Sequence, residues 1–309
     1  MDRSFHPWGT IPGILILAIR LHAHDGPEHV IETLTDEISR YGATPRMLVE
    51  RAAEQRIIGR LTLAAADLEQ ALKLNEEHLP ARMALGRVYL AQGKKTEALK
   101  IVERVMNVRA ADPERATLHM MRAEIYRALG DDKKALDDCQ HALDLQAGDV
   151  DWYLIRSQLQ ERLGKHKERL AGLEQGIKLT SSVVLENERI EALIDAGQHR
   201  AALALIEPQL QDSRWQSSWL IRRARARLGL GEKDQAHADL RAAIREINER
   251  FGPFAAFNPD TALLADRGVA HTLLGEHETG KKDFQQARTA GVDESFLSRL
   301  EARAGLKSQ

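Results

Sequence analysis

From residue 45 onward the chain alternates amphipathic stretches, with apolar residues returning every three or four positions, with single glycines at Gly59, Gly93, Gly130, Gly164, Gly197, Gly231 and Gly275. Successive glycines lie 34, 37, 34, 33, 34 and 44 residues apart. The pattern predicts a repeated helical hairpin. Each glycine ends a first helix, and a second helix returns antiparallel to it.

Small residues recur at fixed offsets from these turns. Seven positions before the glycine stand Ala52, Gly86, Ala123, Ser157, Ile190, Ala224 and Gly268; five after it stand Ala64, Ala98, Ala135, Arg169, Ala202, Ala236 and Gly280. Small side chains let paired helices approach closely. With Tyr89 and Tyr126 four residues before their glycines, these positions resemble the tetratricopeptide-repeat (TPR) family over Pro45 to Glu294. The likeness is strong around Gly93, Gly130 and Gly231 and weaker around Gly164 and Gly197, where Arg169 and Ile190 replace small residues.

The resemblance implies an all-α fold: a right-handed superhelical solenoid of about seven helix-turn-helix repeats, starting near residues 45, 79, 116, 150, 183, 217 and 261. Residues 24–44 are expected to form a His-containing linker and an N-terminal capping helix, with Val30, Leu34 and Ile38 on one face. Residues 295–309 are expected to form a C-terminal capping helix and tail, with Asp293 as its N-cap and Gly305 as its stop. Helices account for the whole pattern, with no segment left for a separate catalytic domain.

A charge pair is written into the repeat. Eight residues before the turns sit Arg51, Leu85, Arg122, Arg156, Arg189, Arg223 and Arg267; eight after them sit Asp67, Ile101, Asp138, Gly172, Leu205, Asp239 and Asp283. Equal offsets across an antiparallel hairpin face each other, so four repeats offer an Arg–Asp pair. The repeat with Leu85 offers Ile101 instead. Pairs holding the hairpins in register are expected rather than an anion-binding ladder. Arg156 and Arg189 need other acceptors.

By the same resemblance, first helices line a concave surface on which peptides lie. The corresponding positions make Val49, Arg56, Met83, Arg87, Leu90, Met120, Glu124, Arg127, Leu154 and Gln158 the candidate partner-binding residues. Met83 and Met120 would either accept an apolar peptide side chain or pack between neighbouring first helices. The Lys and Asn clamp of the family's chaperone-binding subset is missing, since Val49 and Ala53, then Met83 and Arg87, stand in its place. Phe251, Phe254 and Phe257, in the longest interval, form a secondary patch that is either packed across a repeat junction or exposed.

Composition narrows the function further. Of 309 residues, 43% are hydrophobic, and 44 basic against 46 acidic side chains leave a net charge of −2, so no global positive field favours nucleic acid. The most basic helix carries Arg222, Arg223, Arg225 and Arg227 below Trp215 and Trp219, and its arginines are expected to pair with acids such as Glu191 and Asp239. A lone cysteine, Cys139, precludes an intramolecular disulfide and reads as a small apolar core group. Phosphate loops, dinucleotide turns, zinc-protease helices and nucleophile elbows are missing from the sequence, and no cofactor is expected. His271, Glu276, His277 and Glu278 straddle a turn and read as a solvated hairpin end.

The apolar run Ile11 to Ile19 is too short to span a bilayer. With Arg3 before it and Ala23 after it, residues 1–23 read as a possible signal peptide, which implies an exported bacterial protein, periplasmic or secreted; a cytoplasmic location is the alternative. His24 and His29 are the only candidates there for a metal, on a segment that otherwise reads as linker. The sequence therefore points to a noncatalytic scaffold with a protein or peptide partner. The alternative is an enzyme-associated or ligand- or metal-sensing subunit using the histidine segment or Phe251 to Phe257.

Overall fold

The computed structural model describes residues 26–106, 111–251 and 261–306. All regular structure among them is helical, sixteen helices with no strand. They fall into two compact units, one up to residue 108 and one from residue 109 onward.

The first unit comprises α1 (Pro27–Tyr41), α2 (Pro45–Ile57), α3 (Leu61–Leu74), α4 (Leu79–Ala91) and α5 (Lys95–Glu103). Proline begins α1 and α2 where the missing N–H costs nothing, and the Thr44 hydroxyl accepts from the Met47 amide at 3.3 Å to cap α2. Leu48, Ala52, Ala64, Leu68, Ala71 and Leu85 form the centre of its core. The small members at the predicted offsets are fully buried or nearly so, which lets α2, α3 and α4 pack closely. In α1, Ile31 and Leu34 are the buried pair, with Val30 only half-buried. Of the predicted Val30, Leu34, Ile38 face, Leu34 is buried and Ile38 packs against the core, while Ile31 takes the place of Val30, because an i, i+3, i+7 face follows 3.6 residues per turn more closely than two steps of four.

The second unit comprises α6 (Asp112–Leu129), α7 (Asp132–Leu145), α8 (Val150–Arg162), α9 (His166–Thr180), α10 (Val183–Asp195) and α11 (His199–Asp212). It continues with α12 (Ser217–Gly229), α13 (Lys233–Arg250), α14 (Ala262–Leu273), α15 (His277–Thr289) and α16 (Glu294–Arg303). Gly130 shows how each hairpin turns. At φ +83° it closes α6 with two bonds, its own amide to the Arg127 carbonyl at 3.1 Å and the Asp131 amide to the Tyr126 carbonyl at 2.9 Å. The Asp131 carboxylate then accepts from the Lys134 amide at 3.2 Å and starts α7.

One core cluster of this unit gathers Ala123, Ala135, Cys139, Tyr153, Leu173 and Leu185; another gathers Ile206, Leu240, Ile247, Phe284 and Leu297. The second includes Leu297 of α16, so the last helix covers core as a cap must. Asp293 caps α16 by accepting from the Phe296 amide at 2.9 Å, and Gly305 follows its end at φ +84°.

Candidate functional site

The repeat-encoded charges are consumed inside the fold. Arg51 donates to Asp67 at 2.7 and 2.6 Å, and Arg122 to Asp138 at 2.7 and 2.7 Å. Arg223 donates to Asp239 at 3.0 and 2.7 Å, and Arg267 to Asp283 at 2.9 and 2.6 Å. Each guanidinium presents Nε and Nη2 as a fork to one buried carboxylate, which fixes the hairpin in register. An anion ladder is therefore not available from these side chains. Leu85 is buried in the apolar core of the first unit, and Ile101 packs against that core.

The two odd arginines resolve differently. Arg156, buried, donates to the Gly172 carbonyl at 2.8 Å and to the Gln140 side-chain oxygen at 3.0 Å. Burial pulls its guanidinium below the usual arginine range. Arg189 keeps a buried Nε without a hydrogen-bond partner.

The candidate partner-binding residues are not equivalent. In the first unit Arg56 and Arg87 are exposed, whereas Val49, Met83 and Leu90 are half-buried. In the second unit Met120 is only 4% exposed and packs with Ala123 and Leu143, so it is core rather than a contact for a partner. Glu124 and Arg127 are half-buried. Leu154 and Gln158 line a recess of about 280 Å³, and only these two of the ten candidates do so.

That recess is walled by the four successive first helices α8, α10, α12 and α14, and its remaining side is α16. Ile221 and Val269 supply apolar lining from the wall, and Phe296, Arg299, Leu300 and Arg303 face it from α16. These last four follow an i, i+3, i+4, i+7 spacing, one face of a helix, while Leu297 and Ala304 point into the core. The expected capping helix thus does more than close the end of the array.

An ionic network lines and underlies the recess; the pairing of Arg222 and Arg225 with Glu191 was expected from the sequence, the parts played in it by Arg169 and Arg303 were not. Arg169 has no solvent exposure, although its position in the repeat calls for a small residue. It meets Glu188 at 2.7 Å, Asp195 at 2.9 Å and Glu161 at 3.2 Å, and its Nε donates to the Ser157 hydroxyl at 2.9 Å. The small Ser157 leaves the room, so the expected local disturbance at Arg169 is absorbed by carboxylates from α8 and α10. Arg222 donates to Glu191 at 2.7 Å, and Arg225 pairs with both Glu191 and Asp195. Arg303 arrives from α16 and reaches Glu161 at 3.3 Å, Glu191 at 3.4 Å and Asp195 at 3.5 Å. Four guanidinium groups face four carboxylates. Burial alone would raise the Glu191 carboxyl, but Arg225, Arg303 and Arg222 outweigh it and hold that group well below the usual carboxylate range. Burial would likewise lower Arg303, and Glu191, Asp195 and Glu161 reverse the direction.

The other sequence candidates have ordinary settings. Arg223 and Arg227 share Asp239, so the basic helix is spent on neighbours as expected; Trp219 stacks under Arg222, and Trp215 is exposed. Phe251 packs against the core beneath Arg267, whereas Phe254 and Phe257 lie outside the described residues. His29 is exposed on α1, and residues 1–25, with His24 and the possible signal peptide, also lie outside the described residues. Among the described residues no group of three or more His, Cys, Asp or Glu side chains could hold a metal, and no helix is long and apolar enough to cross a membrane. His271 contacts Glu276 at 2.5 Å, with His277 and Glu278 exposed beside it. Cys139 is fully buried, its thiol directed at the Trp152 carbonyl, and burial pushes it up to about 12.

Comparison with known proteins agrees with this architecture. Residues 59–119 and 105–150 match family models described as tetratricopeptide repeat. Human DnaJ homolog subfamily C member 3 is 26% identical over 227 residues, covering 68% of this chain and 42% of that protein. Human tetratricopeptide repeat protein 16 is 22% identical over 286 residues, covering 88% of this chain and 28% of that protein. The chain thus spans less than half the length of either relative. A crystal structure of a tetratricopeptide repeat protein from Parabacteroides merdae superposes with a TM-score of 0.61 at 19% identity, covering 84% of this chain and 98% of that one. The matched tetratricopeptide-repeat models together span residues 59–150, and the described helices have the helical-repeat fold of that solved tetratricopeptide repeat protein.

Proposed function

We propose that this protein is a noncatalytic scaffold that binds a segment of another protein along the faces of its first helices. The observation that carries the reading is the recess in the second unit, where four consecutive first helices present one wall. On this wall the half-buried Leu154 is the apolar side chain offered, flanked by polar Gln158 and Asn187, while Ile221 and Val269 are buried with the core. A peptide side chain buried there gains the apolar contact, and the rim supplies direction. In the first unit, exposed Arg87, one turn along α4 from half-buried Met83, offers a similar mixture.

The test is affinity capture from the native host with wild type, Leu154→Glu and Met83→Glu. Both substituted positions are half-buried, so the variants are expected to keep the helical circular-dichroism spectrum. Loss of a captured protein in either variant, with the fold intact, supports the reading. Unchanged capture in both overturns it. For location we propose export, based on Arg3, the Ile11 to Ile19 run and Ala23. N-terminal sequencing of the protein from host fractions should then begin at His24, and a start at Met1 or Asp2 would overturn export by cleavage.

A further inference from the structure

The second unit already holds an occupant in its recess, and that occupant describes what the recess accepts. Helix α16 turns Phe296, Arg299, Leu300 and Arg303 toward the walls formed by α8, α10, α12 and α14. Among the described residues, every ion pair between α16 and α8 or α10 comes from Arg303. Its guanidinium is nearly buried, with 11% of the side chain exposed, and it sits where three carboxylates converge. Without Arg303 the network has four carboxylates, Glu161, Glu188, Glu191 and Asp195, against three guanidinium groups, Arg169, Arg222 and Arg225. The wall is therefore built one positive charge short. The fit of α16 is also incomplete. About 280 Å³ stays open between it and the wall, and Arg303 Nε is buried without a partner.

We propose that the recess is a receptor for an amphipathic helix with an aromatic residue, a leucine four positions on and an arginine three beyond it. In this scheme α16 is an internal copy of that ligand, which a partner helix displaces. The proposal rests on the scaffold reading above and specifies its partner class and its regulation. Apolar anchors at i and i+4 give affinity, and the arginine at i+7 gives register by reaching the carboxylates. A partner of opposite charge pattern is rejected, since an acidic residue at that point would meet Glu161, Glu191 and Asp195. While α16 is in place the recess is closed to external helices. The exposed turn at Gly291, which joins α15 to α16, is the hinge about which it leaves.

The experiment uses the full chain with a specific protease site inserted at Gly291, cut after folding. The probe is a fluorescent synthetic peptide of residues 293–306. The expected result is that the cut protein takes up the peptide in exchange for its own α16, saturably and more weakly at high salt, while keeping its helical spectrum. The peptide carrying Arg303→Glu should bind weaker by about tenfold or more. Uncut full-length Arg303→Glu, whose own helix is loosened, should take up the wild-type peptide better than uncut wild type. Retention of the cut helix without exchange would overturn the proposal, as would loss of helicity on cutting or uptake indifferent to Arg303. Failed exchange alongside capture that depends on Leu154 removes the displaceable helix and leaves the scaffold. Exchange of the peptide with no captured partner at all supports the receptor and counts against the scaffold.

Discussion

The guanidinium of Arg156 occupies the space that a side chain at position 172 would need. A methyl group added to Gly172 would lie 2.6 Å from Nη2 and 3.0 Å from Cζ. Four other repeats place an aspartate at this offset and receive their arginine on its carboxylate. Here the side chain is dispensed with, and the arginine advances to the backbone carbonyl. Gly172→Ala gains about 1 kcal/mol of helix propensity but forces a buried arginine aside at about 1–3 kcal/mol. A net loss of up to about 2 kcal/mol is expected in urea unfolding. Gly172→Asp should be more stable than Gly172→Ala, because it offers the displaced guanidinium a carboxylate. A stabilised alanine variant would contradict this account.

The paired arginines should differ among themselves. Removing Arg267 strands Asp283, whose carboxylate is 5% exposed, and should cost about 3 kcal/mol or more. Removing Arg122 leaves Asp138 with the His119 imidazole at 2.8 Å. Arg122→Ala should therefore cost about 1 kcal/mol less than Arg267→Ala. Denaturation midpoints of the two variants against wild type decide the order, and an unchanged midpoint for Arg267→Ala would remove the buried-pair argument.

Glu191 gives the ionic network a pH signature. Its folded carboxyl titrates below an unfolded value of about 4.3, so the unfolded chain binds the proton first on acidification. The stabilisation is fully present above pH ~4.3 and is lost as pH falls through the folded value. Glu191→Gln should destabilise by about 3 kcal/mol near pH 6, since three arginines lose an anionic partner. That gap should narrow progressively below pH ~4.3. Parallel stability curves from pH 6 to pH 3 would show that Glu191 is not the group involved.

Cys139 should resist chemistry until the fold opens. With no exposed surface and a thiol pushed up to about 12 by burial, it holds almost no thiolate at neutral pH. A maleimide reagent is expected to label it at the rate of unfolding and promptly in denaturant. Rapid labelling of the native protein would place the thiol elsewhere.

Much of the fold was legible because repetition amplifies weak local signals. A single glycine or alanine means little, but Gly59, Gly93 and Gly130 with Ala52, Gly86 and Ala123 behind them mark a hairpin that recurs. Equal offsets about each turn disclosed the Arg51–Asp67 and Arg223–Asp239 contacts for the same reason. Met120 went the other way, since a first-helix position is a candidate lining residue whether it faces a partner or the next helix. Only neighbouring side chains decide that, and here they bury it.

The sequence by itself determined the helices, their turns and the charge pairs within each hairpin, because these depend on residues at most 16 positions apart in nearly fixed geometry. Tertiary structure alone decided what Arg169 and Arg303 do. Arg303 meets Glu161 across 142 residues of chain, and no periodicity encodes a contact between a terminal helix and a wall assembled from four separate repeats. A recess of that kind exists only once the repeats have stacked, so its ionic centre and the helix that covers it are properties of the folded array.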